Sequence, residues 1–152
     1  MQRKLTATLL SVLALAGLAF AGFAVSAGPQ GAGPQGSGVE RQVVTAAALP
    51  NLPGHSLTAV TVELAPGVTV PAHRHEGFVF VYVLQGTVRS QLDAGKALDY
   101  AAGTSWVEPP GTLHSLTQNP SQTESTKVLA VFVAKDGARL TTADEAGSES
   151  KQ

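Results

Sequence analysis

Gly67-Val68-Thr69-Val70-Pro71-Ala72-His73-Arg74-His75 and, further on, Gly103-Thr104-Ser105-Trp106-Val107-Glu108-Pro109-Pro110-Gly111-Thr112-Leu113-His114 hold three of the four histidines in this 152-residue chain. His73 and His75 are two apart. On a strand that spacing puts both rings on one face, about 6–7 Å apart along the chain, and turns Arg74 the other way. In the second stretch a tight Pro/Gly turn precedes a short apolar run, which can carry His114 across a barrel to the first pair. Three neutral imidazoles suit Fe, Mn, Ni, Cu, Co or Zn and leave coordination positions open for water or substrate. The predicted metal site is therefore His73, His75 and His114.

Composition narrows the alternatives. The chain has no cysteine, which excludes disulfides, zinc fingers, iron–sulfur clusters and thiol nucleophiles. Its formal net charge is −1, and its ten Lys and Arg residues are scattered, so it lacks the clustered cations that nucleic-acid phosphates require. The expected partner is a small-molecule substrate or ligand.

Outward from the histidines the texture is that of short strands. Val and Thr dominate, and Gly or Pro recurs about every ten residues. Predicted strands are Gln42–Ala47, Ser56–Leu64, Val79–Leu84, Thr87–Leu92, Ser105–Val107, Leu113–Thr117 and Lys127–Val133. Thr58, Val60, Val62 and Leu64 alternate with Leu57, Ala59, Thr61 and Glu63, a half-buried pattern. Val128 to Val133 is almost wholly apolar, as for a strand covered on both faces. Gln85-Gly86 joins two strand runs closely enough to suggest a hairpin. Seven short strands in under a hundred residues predict an all-β, antiparallel sandwich or barrel.

The flanks are different. Arg3 and Lys4 precede an apolar run from Leu5 to Val25, followed by Ser26-Ala27. A basic start, an apolar middle and a small-residue exit describe a signal peptide over 1–27, and hence a secreted or periplasmic protein. The alternative is an uncleaved anchor, the run approaching the ~20 residues that span a bilayer, with the domain exported. Residues 28–40 contain Gly28-Pro29-Gln30-Gly31 and Gly33-Pro34-Gln35-Gly36, a linker composition. The barrel domain is placed at 41–135, and 136–152 reads as a polar tail with a helical turn near Thr142–Ala146.

The two histidine stretches resemble the paired motifs of the cupin superfamily, G-x5-H-x-H-x3,4-E-x6-G and G-x5-P-x-G-x2-H-x3-N. Gly67, His73, His75 and Gly86 match the first, and Gly103, Pro109, Gly111 and His114 the second. The resemblance covers about Leu57 to Val133 and implies a single jelly-roll β-barrel and a homodimer. Two positions depart from it. Val79, or Phe80 in the other spacing, stands where the motif has Glu, and Gln118 stands where it has Asn, with Asn119 one later.

In that family three-histidine sites occur in Fe(II) dioxygenases for thiols and diketones. Without the Glu, the full charge of the ion would favour an anionic, chelating substrate. The function expected is a metal-dependent dioxygenase for a small organic molecule. The alternatives are a non-catalytic small-molecule or sugar-binding module, and a metal-independent isomerase using His114 with Tyr82. Glu108 is the candidate catalytic acid or base, with a charge at the barrel rim as the other reading. Val79, Val81 and Val83 would line an apolar pocket. Trp106 and Tyr82 read as packing residues. His55, Glu76 and Arg74 read as surface residues, and Arg89 as a surface residue or, if inside the barrel, an anion partner.

Overall fold

The computed structural model describes residues 38–144. The expected signal peptide and most of the linker lie outside the described residues. Eleven strands run in chain order: β1 (Val39–Ala48), β2 (His55–Leu64), β3 (Thr69–Val70), β4 (His73–Arg74), β5 (Phe78–Gln85), β6 (Thr87–Leu92), β7 (Leu98–Ala101), β8 (Ser105–Glu108), β9 (Leu113–Gln118), β10 (Thr126–Lys135) and β11 (Thr142–Ala143). One sheet has the order β1-β2-β10-β5-β8. The other has the order β11-β4-β9-β6-β7, with β3 also paired to β9. Every pairing is antiparallel. Among the described residues there is no helix long and apolar enough to cross a membrane.

The seven predicted strands are all present, each longer than expected or equal in length. The barrel interior follows from their alternation. On β5, Val79, Val81 and Val83 are buried while Phe78, Phe80, Tyr82 and Leu84 face outward. On β10, Val128, Ala130, Phe132 and Ala134 are buried. Leu129, Val131 and Val133 are only half-buried, so this strand is fully covered on one face rather than on both. These side chains, with Val60 and Val88, form the main core. Each fully buried valine contributes about 1.5–3 kcal/mol of apolar transfer.

Two expectations fail for identifiable reasons. Gln85-Gly86 is not a hairpin, because β5 and β6 belong to different sheets. Gly86 adopts φ 74°, and a Cβ there would lie 2.6 Å from Thr126 Oγ1. Thr126 Oγ1 accepts from the Thr87 N–H at 3.2 Å and donates to the Thr87 carbonyl at 2.8 Å. A side chain therefore replaces the cross-strand ladder, and the chain turns a corner between sheets. Of the helical turn expected near Thr142–Ala146, residues 145 and 146 lie outside the described residues, and the described part is not helical. Thr142–Ala143 is strand β11 and pairs with Arg74 and His73 of β4. Through Asp144 the polar tail is thus part of the second sheet, held there because Leu140 is buried against the core.

Candidate metal centre

The two motifs meet through backbone pairing. His73 on β4 and His114 on β9 are register partners on neighbouring strands, so His114 stands beside His73 rather than across the barrel from it. His75 follows directly after β4. Its carbonyl accepts the Gly111 N–H at 2.8 Å, and the Gly111 carbonyl accepts from Arg74 Nη1 at 2.8 Å. Gly111 has φ 78°, a conformation that favours glycine. The Pro109-Pro110-Gly111 turn is therefore clamped to the segment that carries the first two histidines.

All three rings are buried, and a nitrogen from each lies within 4.8 Å of the others. The His73 and His75 ring centroids are 4.9 Å apart, and those of His73 and His114 are 5.0 Å apart. Backbone carbonyls orient two of the rings. His73 Nδ1 lies 2.8 Å from the Pro71 carbonyl, and His75 Nδ1 lies 2.5 Å from the Leu140 carbonyl. A carbonyl only accepts, so each Nδ1 carries the proton and each Nε2 presents a lone pair. Burial holds the His73 pKa down to about 4, against a raising effect of the Pro71 bond. Burial likewise lowers that of His75. Both are neutral near pH 7, the form that binds a metal.

A carboxylate lies beside two of the three rings. Glu108, at the end of β8, is 2% exposed, so the barrel-rim reading is excluded. Its Oε1 accepts from Trp106 Nε1 at 2.9 Å and lies 3.2 Å from His114 Nδ1. Its Oε2 lies 3.4 Å from His75 Nε2 and has no hydrogen-bond partner. Burial pushes the Glu108 carboxyl up, but the His114 ring, the field of His75 and the Trp106 N–H together outweigh it. The net shift is downward, and the group is ionised. On β8, Glu108 faces Val79 of β5 as a register partner. Position 79 has no carboxylate, as the motif comparison says, and the neighbouring strand delivers one at the same level of the barrel.

This donor set fits a cation. The carboxylate Oε2 and the His75 Nε2 lone pair face each other in a buried site, and His73 Nε2 adds a further lone pair. Two acceptors opposed without a proton between them are unfavourable unless a positive charge is shared. Ser90, buried on β6, places its Oγ 2.8 Å from His114 Nε2. Thr141 Oγ1 lies 3.3 Å from His75 Nδ1.

The centre opens on a cavity of about 90 Å³ whose walls include Val60, Val79, Val81, Val128, Ala130 and Phe132. Val83 is buried but does not line it. The remaining candidates lie elsewhere. Tyr82 is on the outer face of β5, so no His114–Tyr82 pair exists. Arg89 is outside the barrel, paired with Asp99 at 2.7 and 2.9 Å. Arg74 is exposed and lies 3.7 Å from Asp144. Glu76 is exposed and accepts the Arg139 N–H. His55 starts β2, its Nδ1 3.3 Å from the Pro53 carbonyl. Trp106 is half-buried against Tyr100, with centroids 4.5 Å apart, and has the further role of holding Glu108.

Sequence reasoning did not identify Ser90, Leu140 or Thr141. Leu140 acts through its carbonyl, which no residue type encodes. The Trp106-x-Glu108 spacing is a legible signal, since residues two apart on a strand share a face.

Comparison with known proteins agrees with this architecture. Residues 60–132 match the Cupin domain family. A search of curated proteins returns no match. Among solved structures, KdgF from Halomonas sp. is 26% identical with TM-score 0.52, over 66% of this chain and 82% of that one. A conserved protein with a double-stranded beta-helix domain from Klebsiella pneumoniae is 22% identical with TM-score 0.57, over 73% and 89%. The polyketide cyclase RemF from Streptomyces resistomycificus is 18% identical with TM-score 0.54, over 70% and 71%. The all-β jelly-roll, the two histidine motifs and these likenesses together identify the described region as a small domain of the cupin superfamily.

Proposed function

We propose that this protein is an exported metal-dependent enzyme whose His73, His75 and His114 hold a divalent transition metal and whose Glu108 takes a proton from a small, chelating organic substrate. The observation that carries this reading is the buried, ionised Glu108 with an unpartnered Oε2 among the imidazoles. When bound, the metal supplies Lewis acidity or redox capacity, and three histidines accept Fe, Mn, Ni, Cu, Co or Zn. His73 and His75 hold their Nε2 atoms toward the centre through the Pro71 and Leu140 carbonyls. Glu108 supplies countercharge and a proton acceptor at Oε2, while Trp106 fixes Oε1. The valine walls exclude water and favour an apolar substrate body.

The dioxygenase reading is the form of this function in which dioxygen is a co-substrate, and the apolar valines in the lining support it. Proton transfer without oxygen, as in an isomerase, uses the same carboxylate. Export rests on the basic and apolar N-terminal sequence. A homodimer is supported by Phe78, Phe80, Tyr82 and Leu84, which expose an apolar stripe on the outside of β5.

The test uses the full chain loaded separately with each metal, assayed on diketones, thiols and phenols for oxygen uptake and for exchange of acidic C–H protons with solvent deuterium. Turnover by either measure that falls about 10²–10⁴-fold in Glu108→Gln at saturating metal supports the reading. A loaded protein that binds these molecules and neither exchanges nor consumes oxygen would establish the binding module instead.

A further inference from the structure

Among the described residues, three buried side-chain polar atoms lack a hydrogen-bond partner: Glu108 Oε2, Arg41 Nη1 and Thr117 Oγ1. All three residues line the same cavity. Glu108 is accounted for by the metal centre. Arg41 and Thr117 are not, since neither belongs to the histidine cluster, and Arg41 is in no ion pair among the described residues.

Their positions locate them at one end. Arg41 on β1 is the register partner of Val62 on β2. Val62 packs against the small cluster of Val39, Leu64 and Val70. Thr117 on β9 is the register partner of Val70 on β3. Both polar groups therefore flank one apolar cluster. Along β9, Thr117 is three residues beyond His114, which is about 10 Å of strand.

We propose that Arg41 and Thr117 form an anion-binding end of the cavity, which takes the carboxylate of a small apolar organic acid whose other end reaches the metal centre. Arg41 is half-buried, and its shielded Nη1 lacks the partner that a buried donor demands. Its planar fork matches the two oxygens of a carboxylate, and the Thr117 hydroxyl can donate to one of them. A single guanidinium balances a monoanion, whereas a phosphate dianion would leave charge uncompensated among apolar walls. Burial that lowers the Arg41 pKa agrees with a cation short of a partner. The substrate's reach to the metal rests on the function proposed above, while the anion end stands on Arg41 and Thr117 themselves.

The test is calorimetric titration of the full chain, metal-free and metal-loaded, with hexanoate, hexanamide and inorganic phosphate, alongside metal content. Hexanoate should bind both forms at least tenfold more tightly than hexanamide or phosphate. Arg41→Met should weaken hexanoate at least tenfold, and Thr117→Val about threefold, with metal content unchanged. Arg41→Met should also melt at or above the wild-type temperature without ligand, since it removes a half-buried guanidinium that has no ion-pair partner among the described residues. Hexanoate bound equally by wild type and both variants, or no better than hexanamide, overturns the proposal. If Arg41→Met fails to fold, Thr117→Val alone decides by the same criterion. Arg41-dependent binding in a protein that retains no metal would leave the anion end standing and remove the metal-centre reading. Retained metal with Arg41-independent binding would do the reverse.

Discussion

Glu108 of β8 lies directly across the strand ladder from Val79 of β5, the position at which the first histidine motif ordinarily carries its carboxylate. Position 79 carries no carboxylate, and Glu108 presents one from the neighbouring strand. Two substitutions test this relationship. Glu108→Val should lower metal affinity by about 10–100-fold, the usual cost of losing a charged neighbour of the ligands. Val79→Glu added to Glu108→Val should recover most of it, a coupling that independent sites would not give. Competition with a chelating dye measures both. A double variant as weak as the single one would refute the exchange.

The C-terminal segment orients His75 through the Leu140 carbonyl and the Thr141 hydroxyl. Deleting residues 140–152 should lower metal affinity by about 10–100-fold. It should also cost about 1.5–3 kcal/mol of stability from Leu140 burial. The same chelator competition and a urea titration separate the two effects. Unchanged affinity in the shortened chain would show that the tail does not position the ring.

Acid should destabilise the metal-free protein through its histidines. The His73 pKa is about 4 in the folded chain against an ordinary 6.5. Above pH 6.5 both folded and unfolded chains leave this ring neutral, so it makes no difference to stability. As pH falls below 6.5, the unfolded chain takes up a proton that the folded chain refuses. Stability then declines, by about 2 kcal/mol at pH 5 for this residue. His75 acts in the same direction. Urea unfolding at pH 7.5 and pH 5 should show a smaller loss in His73→Gln than in wild type. Equal losses would mean that His73 titrates normally.

Asn119 carries the scaffold role at the end of the second motif. It is fully buried, and its Nδ2 donates to the Leu64, Ala65 and Glu124 carbonyls at 3.1, 3.1 and 2.8 Å. Asn119→Ala should cost about 3 kcal/mol by stranding those acceptors, whereas Gln118→Ala, on a half-buried side chain, should cost well under 1 kcal/mol. Thermal or urea unfolding of the two variants makes the comparison. A reversed order would place the motif's Asn role at Gln118.

The strands were legible because alternation fixes which side chains enter a barrel, and Val79, Val81 and Val83 on β5 show it. The histidine triad was legible because its spacing survives without knowledge of the sheets. What escaped was set by tertiary pairing. Gln85-Gly86 has the local signature of a hairpin, and only Thr126 on a distant strand makes it a corner. Strand β9 carries one residue more than β6 near Ser115, the same one-residue displacement that separates Asn119 from the motif's Asn position. Two-residue strands such as β4 and β11 are too short to show any period. Glu108 precedes a Pro-Pro-Gly turn, where exposed and buried carboxylates look alike, and its burial depends on β5 lying beside β8. Arg41 sits at the start of β1, and nothing local distinguishes it from a surface cation.

Whether the three histidines hold a metal is read from the metal content of the purified full chain after reconstitution with Fe, Mn, Ni, Cu, Co and Zn in turn. One equivalent per chain is predicted for at least one of these metals, falling to background in His73→Ala, His75→Ala and His114→Ala. A folded wild-type protein that retains none of the six, or variants that retain as much as wild type, would contradict it.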